Sequence, residues 1–425
     1  MMNSTPRLRL TEFSKAPQYT QYNFDDIFVF SSGKNIKKNE ASPEYNTPCV
    51  RYGELYHMYG EVITNTINCT NLDHSELTFS YGNEILLPSA GEDPLDIGSA
   101  SALTLKGVAI GRTINVLRPK GNVDYSHAYV SYYINEKLRK KISKLARGAS
   151  ISNVYNSDLK TLKANLPEIF EQQKIAFFLS KVDEKIGLLS EKKDKLTEYK
   201  KGVMQQLFNG KWHEQDGQLT FTPPTLRFKA DDGSEFPDWE EKNLGDYFNF
   251  KKGAPLSKSD LTDTGSNVCI HYGELFTKYR EVIRTVFSKT NVTSTKLGFV
   301  GDILMPTSDV TPKGLARASC LLVDEVVLSG DLNILRPKTE LNSVYFSYKI
   351  NHFKNEVIRR VSGTTVKHIY AKDIDSIKFK TPVSIQEQTK MANFLLAIDQ
   401  KIELVNSELN KTKEWKRGLL QQMFV

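Results

Sequence analysis

The strongest constraint on this chain is that it is written twice. Pro6-Arg7-Leu8-Arg9-Leu10 returns as Pro224-Thr225-Leu226-Arg227-Phe228. Cys49-Val50-Arg51-Tyr52-Gly53-Glu54-Leu55-Tyr56 returns as Cys269-Ile270-His271-Tyr272-Gly273-Glu274-Leu275-Phe276. Asn115-Val116-Leu117-Arg118-Pro119-Lys120 returns as Asn333-Ile334-Leu335-Arg336-Pro337-Lys338, and Gln205-Gln206-Leu207-Phe208 as Gln421-Gln422-Met423-Phe424. The offsets are 224 − 6 = 218, 269 − 49 = 220, 333 − 115 = 218 and 421 − 205 = 216. A near-constant offset over the whole length marks a tandem duplication with small insertions rather than motif reuse. A doubled fold presents two similar surfaces, so something is expected to be gripped at two places.

Each repeat has a globular part and then a helical part. The expected boundaries are a first globular domain at 1–165, a helical spacer at 166–210, a linker and lead-in at 211–236, a second globular domain at 237–381 and a second spacer at 382–425. In the globular parts, Glu84-Ile85-Leu86-Leu87-Pro88 and Asp302-Ile303-Leu304-Met305-Pro306 read as strands closed by proline. Cys320–Val323 and Glu325–Leu328 read as further strands, and Tyr129–Leu145 and Tyr345–Val361 as helices. The mixture predicts a compact α/β or α+β fold.

After Pro167 and Pro382 the helical parts lack proline and are nearly free of glycine. Their apolar residues keep a four-three spacing. In repeat one the seam is Ile175, Leu179, Val182, Ile186, Leu189, Lys193, Leu196, Lys200, Val203 and Leu207. In repeat two it is Met391, Leu395, Ile398, Ile402, Val405, Leu409, Thr412, Lys416, Leu419 and Met423, each 216 residues on. So narrow a stripe over five heptads needs another helix to cover it. The two helices are expected to pair with each other, each roughly 50 Å long for about 35 residues, and an antiparallel pairing would put the two globular domains at opposite ends. Asn209-Gly210 supplies a helix stop, and the polar stretch from Lys211 to Pro224 reads as a linker.

Composition narrows the function classes. The net charge of +7 permits a nucleic-acid partner without requiring one. Cys49, Cys69, Cys269 and Cys320 form no metal-spaced pair, and the repeat-equivalent Cys49 and Cys269 read as small buried hydrophobes. No apolar run approaches the ~18 residues of a membrane span, so a soluble, cytoplasmic chain is expected. The nucleotide-binding loop G-x-x-x-x-G-K-[ST], the zinc motif H-E-x-x-H and the N-P-P-Y tetrapeptide of aminomethyltransferases are all missing from the sequence. Pro237-Asp238 with Glu240-x-Lys242 imitates a nuclease metal site, but its acids are too close together and repeat one has no acid there. No catalytic and no metal-binding residue is assigned.

What remains are polar loops in equivalent places. Arg51-Tyr52-Gly53-Glu54 and His271-Tyr272-Gly273-Glu274 set a cationic or hydrogen-bonding side chain beside an aromatic, which suits base edges or phosphate, though a structural turn would also explain them. Arg147-Gly148-Ala149-Ser150 and Ser362-Gly363-Thr364-Thr365, with Lys367, combine hydroxyls with exposed backbone N–H groups. The candidate DNA-contact set is Lys34, Arg51, Tyr52, Arg112, Arg147 and Ser150 in repeat one, and Lys252, His271, Tyr272, Lys313, Arg317, Thr364, Thr365 and Lys367 in repeat two. Arg118-Pro119-Lys120 and Arg336-Pro337-Lys338 read as solvated turn charges.

On these residues the chain resembles the specificity subunit of type I restriction-modification systems. The lead-ins Leu8-Arg9-Leu10…Pro17-Gln18-Tyr19 and Leu226-Arg227-Phe228…Pro237-Asp238-Trp239…Leu244-Gly245-Asp246 carry the resemblance. So do the exits Lys195–Phe208 and Glu414–Phe424, and the G-D-I-L type strands within Gly82–Pro88 and Val300–Pro306. Repeat one departs from the pattern, with Tyr19 for the usual Trp and Phe24-Asp25 for Leu-Gly. The resemblance implies a non-catalytic subunit in which each globular part is a target recognition domain for half of a split DNA sequence. It also implies that the two helices form an antiparallel coiled coil, a rod that sets the spacing and docks two modification subunits. Those subunits would methylate adenine with S-adenosylmethionine, and restriction subunits would add an ATP- and Mg-dependent nuclease. The competing readings are the recognition region of a self-contained restriction-methylation enzyme, and a scaffold that binds only proteins.

Overall fold

Apolar runs without alternation form strands that are covered on both faces. A computed structural model describes residues 6–215, 218–294 and 296–425 of the chain. Glu84–Pro88 is a strand buried throughout, central in a five-stranded sheet ordered Phe28–Ser32, Ile114–Pro119, Glu84–Pro88, Ser101–Leu103, Val62–Ile63. The second repeat builds the same sheet from Phe248–Lys252, Leu332–Pro337, Ile303–Pro306, Ser319–Leu321 and Val282–Ile283. A second sheet accompanies each, of five strands in repeat one and four in repeat two. The predicted strands at 320–323 and 325–328 are Ser319–Leu321 and Val326–Leu328. All four cysteines are free thiols, and burial pushes the Cys49 thiol up to about 12.

The predicted helices in the globular parts are interrupted. Repeat one has His127–Tyr133, a π-turn at Ile134–Leu138, and Arg139–Leu145. Repeat two has Ser343–His352 and Lys354–Ile358, with a break at Phe353. The π-turn holds one extra residue, so the offset drops from 351 − 135 = 216 to 357 − 142 = 215 across it. The segment after the first spacer is not the plain linker expected from its polarity. Lys211–Gln215 pairs antiparallel with Gln218–Thr222 as a two-stranded ribbon. Its Thr and Phe residues supply β propensity that the nearby prolines had masked.

The long helices run Ile169–Phe208 and Ile385–Met423, about 60 Å each at 1.5 Å per residue. The chain divides into two compact units, Met1–Glu191 with Asn406–Val425, and Lys192–Val405. Each unit therefore takes half of each helix, which the expected domain boundaries did not anticipate. In the first unit Phe178 meets Trp415 at 5.9 Å, and Lys185 pairs with Glu408 at 2.9 Å, so numbers rise on one helix as they fall on the other. The pairing is antiparallel. Ile175, Leu179, Val182, Leu419 and Met423 share the core of this unit. In the second unit Val203 and Leu207 share a core with Met391, Leu395, Ile398 and Ile402. Leu189, Val405 and Leu409 are buried too, and Ile186 and Leu196 are partly buried against these cores.

The repeated lead-in motif is a clamp. Arg9 donates to fully buried Glu171 from Nε at 2.8 Å and Nη2 at 2.6 Å, and Tyr19 adds its hydroxyl at 3.1 Å. Arg227 holds Glu387 in the same way at 2.8 and 3.1 Å, with Trp239 Nε1 at 3.2 Å. Tyr19 thus replaces Trp239 as a donor to the same carboxylate. Both glutamates lie in the first helical turn, where negative charge also complements the helix dipole. The next residues, Gln172 and Gln388, accept from the backbone N–H of Ser126 and Asn342 and donate to the carbonyls of Pro167 and Pro382. Among the described residues, no helix is long and apolar enough to cross a membrane.

Candidate nucleic-acid interface

Loops at one end of each pair of sheets are laced together by backbone hydrogen bonds. In the first unit Lys34 N–H donates to Ile110, Arg112 N–H to Asn35, and Gly111 N–H to Val50. These bonds bring Lys34, Arg51, Tyr52 and Arg112 to one place. In the second unit Ala254 N–H donates to Leu328 and Ser329 N–H to Ile270, while Tyr272 N–H donates to Ser329 Oγ. That brings Lys252, two residues before Ala254, together with His271 and Tyr272, although the counterpart of Lys34 itself is Ala254. Gly33 and Gly253 allow the approach, because a Cβ at either would lie 2.1 or 2.2 Å from a carbonyl oxygen of the facing loop.

The first loop cluster carries local strain. Asn35, Ile36 and Thr113 all have positive φ, at 49°, 56° and 67°. For a β-branched residue this is unfavourable, and packing must enforce it. The loop is therefore preset rather than free to adapt. Partial desolvation lowers the Lys252 ammonium from its ordinary value, with Asp331 opposing.

A second pair of loops joins these clusters. Val154 N–H donates to Ser89, whose own N–H donates to Thr113. Ile369 N–H donates to Thr307, whose N–H donates to Asp331. The tips, Ala149-Ser150-Ile151 and Thr364-Thr365-Val366, are exposed past glycines with φ of 136° and 101°. Hydroxyl, backbone N–H and apolar groups thus stand together beside the basic loops, the mixture that base-edge and phosphate contacts use.

Several expectations need correction. Arg51 is not a free cation: its Nε sits 2.8 Å from Glu54, which is buried. Only Tyr52 of that pair is well exposed. His271 Nδ1 accepts from Gly273 N–H, so that side chain is half committed to its own turn. Arg147 pairs with Asp158 at 2.9 Å, and Lys367 Nζ caps the Gly363 carbonyl at 2.7 Å. Arg118 and Arg336 are not solvated turn charges. They bind Glu84 and Asp302, which are 0% and 1% exposed, and they also hold backbone carbonyls of Phe79 and Leu297. Nothing in the local sequence marks those partners, 34 residues away, except that each acid opens a predicted strand. Lys313 and Arg317 do not join the loops; they line a cavity beside the first long helix. Lys34, Arg112, Ser150, Thr364 and Thr365 are exposed as expected.

The sequence pattern described as the Type I restriction modification DNA specificity domain matches residues 18–198 and again 237–414. This chain belongs to that family. The type I restriction enzyme MjaVIII specificity subunit of Methanocaldococcus jannaschii is 23% identical over 348 residues, 80% of this chain and 77% of the relative. The putative MjaX specificity subunit of the same organism is 26% identical over 324 residues, 73% and 70% of the two chains. The crystal structure of a type I restriction-modification S subunit from M. genitalium superposes with a TM-score of 0.66 at 18% identity, covering 99% of both chains. A chain solved in work on complex assembly and conformational transition of the type I R-M system gives 0.52 at 15% identity, over 96% and 97%. The specificity chain thus carries the family's domain twice, and its fold matches that of solved relatives from end to end. Its two loop clusters are the equivalent tips of its two target recognition domains.

Proposed function

We propose that each globular domain reads one half of a bipartite DNA target, and that the paired helices set the gap between the halves. The carrying observation is a shared framework with divergent tips: the clamp, the seam and the strand order repeat, whereas Arg51 becomes His271 and Ala149-Ser150-Ile151 becomes Thr364-Thr365-Val366. Divergent tips call for two different half-sites. The chain is read as a non-catalytic subunit working in the cytoplasm on double-stranded DNA. Two modification subunits would supply adenine methylation with S-adenosylmethionine, and restriction subunits ATP- and Mg-dependent cleavage.

The helices offer a docking surface for those partners. Leu188 and Leu404, 404 − 188 = 216 apart, are 60% and 70% exposed, and Tyr199 and Trp415, also 216 apart, are 54% and 51% exposed. Large apolar side chains left in water at equivalent positions support two equivalent docking events. Methylome sequencing of cells with and without this gene, in the presence of the modification subunit, tests the reading. A bipartite methylated motif that disappears with the gene is expected. Its absence despite a functional modification subunit would refute the proposal.

A further inference from the structure

The second unit contains a cavity of about 730 Å³ between the first long helix and the body of repeat two. Six cations line it: Lys200, Lys201, Arg280, Lys313, Arg317 and Lys354. The lining includes two carboxylates, Glu281 and Asp399, and Lys200 engages both, at 3.0 and 2.8 Å. Among the described residues, Lys201, Arg280, Lys313 and Lys354 have no ion-pair partner, and the guanidinium of Arg317 reaches the carbonyl of Leu275 at 3.1 Å. Six cations face two carboxylates, both engaged by Lys200, so an excess of 6 − 2 = 4 positive charges borders one concave space.

Repeat one keeps the framework and changes the rim. Lys416 contacts Glu61 at 2.9 Å and Asp183 at 2.7 Å, just as Lys200 contacts Glu281 and Asp399. Tyr132 and Tyr348 donate their hydroxyls to the equivalent aspartates. At the rim, however, Arg280, Lys313 and Arg317 correspond to Gly60, Leu95 and Ser99, by offsets of 220, 218 and 218. Lys354 corresponds to Arg139, which lies against Gly98 and is neutralised by Asp96 at 3.5 Å. The counterpart of Asp96 in repeat two is Gly314. The second repeat has both gained cations and lost the acid that would quench one of them. Such clustering is self-repelling and is stabilised by a bound anion, and the cavity is of ligand size.

We propose that this cavity binds phosphate groups, supplied by the sugar–phosphate backbone of DNA beside the second half-site. The DNA source rests on the reading above; the phosphate chemistry does not. The test uses the triple variant R280G/K313L/R317S, which installs the residues that repeat one carries on the same framework. The full chain, assembled with its modification subunits, is titrated with a duplex of about 40 base pairs carrying the mapped target over a series of salt concentrations. Calorimetry with ATP and with pyrophosphate runs in parallel.

The expected result is that the slope of log affinity against log salt becomes shallower by about 2 to 3, at roughly 0.9 for each phosphate that is no longer neutralised. An unchanged slope with loss of ATP or pyrophosphate binding would still support a phosphate site, filled by a soluble polyphosphate. If neither changes, the proposal is overturned. A wild-type complex without salt-dependent DNA binding would instead sink the DNA-recognition reading. Should the triple variant fail to fold, R280Q/K313Q/R317Q removes the charges while keeping side-chain bulk.

Discussion

Arg227→Met should destabilise the second unit by breaking the clamp at the start of the second long helix. Glu387 is fully buried and takes three hydrogen bonds, two from Arg227 and one from Trp239. The variant leaves a buried carboxylate with one indole N–H and the macrodipole of its own helix. Removing one partner of a buried pair costs about 3–5 kcal/mol, because the remaining charge is uncompensated. For a unit of this size, about 2–4 °C of melting temperature follows each kcal/mol, so the midpoint should fall by about 6–20 °C. Scanning calorimetry gives the midpoint, and hydrogen exchange at residues 385–391 localises the loss. Arg227→Lys should also be costly, because an ammonium cannot reproduce the two-pronged contact. The double variant Arg227→Met with Glu387→Leu should recover most of the loss, since no buried charge is left unpaired. If R227M melted within ~1 kcal/mol of wild type and the double variant were no better, the clamp would not be what seats the helix.

Three further outcomes follow from other sites. Lys349 is fully buried among Trp239, Tyr345 and Phe379, and desolvation holds its ammonium well below the ordinary value despite the attraction of Glu387. The unfolded chain then binds more protons than the folded one, so stability should rise with pH from the folded value towards about 10.4, by roughly 1.4 kcal/mol per unit. K349M should flatten that rise and stabilise the protein at about pH 7, as shown by melting curves from roughly pH 7 to 9.5; a steeper wild-type loss at high pH would contradict it. L188A/L404A should leave the melting point nearly unchanged, as surface changes do, yet reduce co-purification of the modification subunit at least about tenfold; undiminished co-purification would rule out these side chains as docking anchors. Inserting residues in one long helix should alter the gap between half-sites in the methylome while leaving both half-site sequences as they were, and altered half-sites would refute the spacer role.

Much of the framework was legible from the residues alone. Glu84–Pro88 reads as a strand because a short apolar run closes on proline, and its burial on both faces is what the structure adds. The seams had to pair, because two stripes of one phase can cover each other. Less legible were the partners of repeated charges. Arg118-Pro119-Lys120 looks like an exposed turn in sequence, yet Arg118 reaches a buried acid that only sheet pairing brings near. Arg51, placed beside Tyr52 like a reader, is instead tied to Glu54 in its own turn. The exposed tips at Ser150 and Thr364-Thr365 are legible because small hydroxyl residues beside glycine expose the backbone.

The sequence by itself determined that this protein is a duplication whose spacer kept phase while its readers drifted. It could not determine which pieces fold together. Because the helices run antiparallel, the end of each packs on the body of the other repeat: Phe424 lies 5.1 Å from Tyr129, and Phe208 lies 5.7 Å from Tyr345. In both of these pairs the helix end meets the repeat it does not belong to, so each compact unit is built from both repeats. A parallel pairing would satisfy the same heptad spacing, since a seam specifies burial but not direction. Direction was decided by long-range contacts, chiefly Lys200 with Glu281 and Lys416 with Glu61, which pin each helix end to the body that it did not follow in the chain.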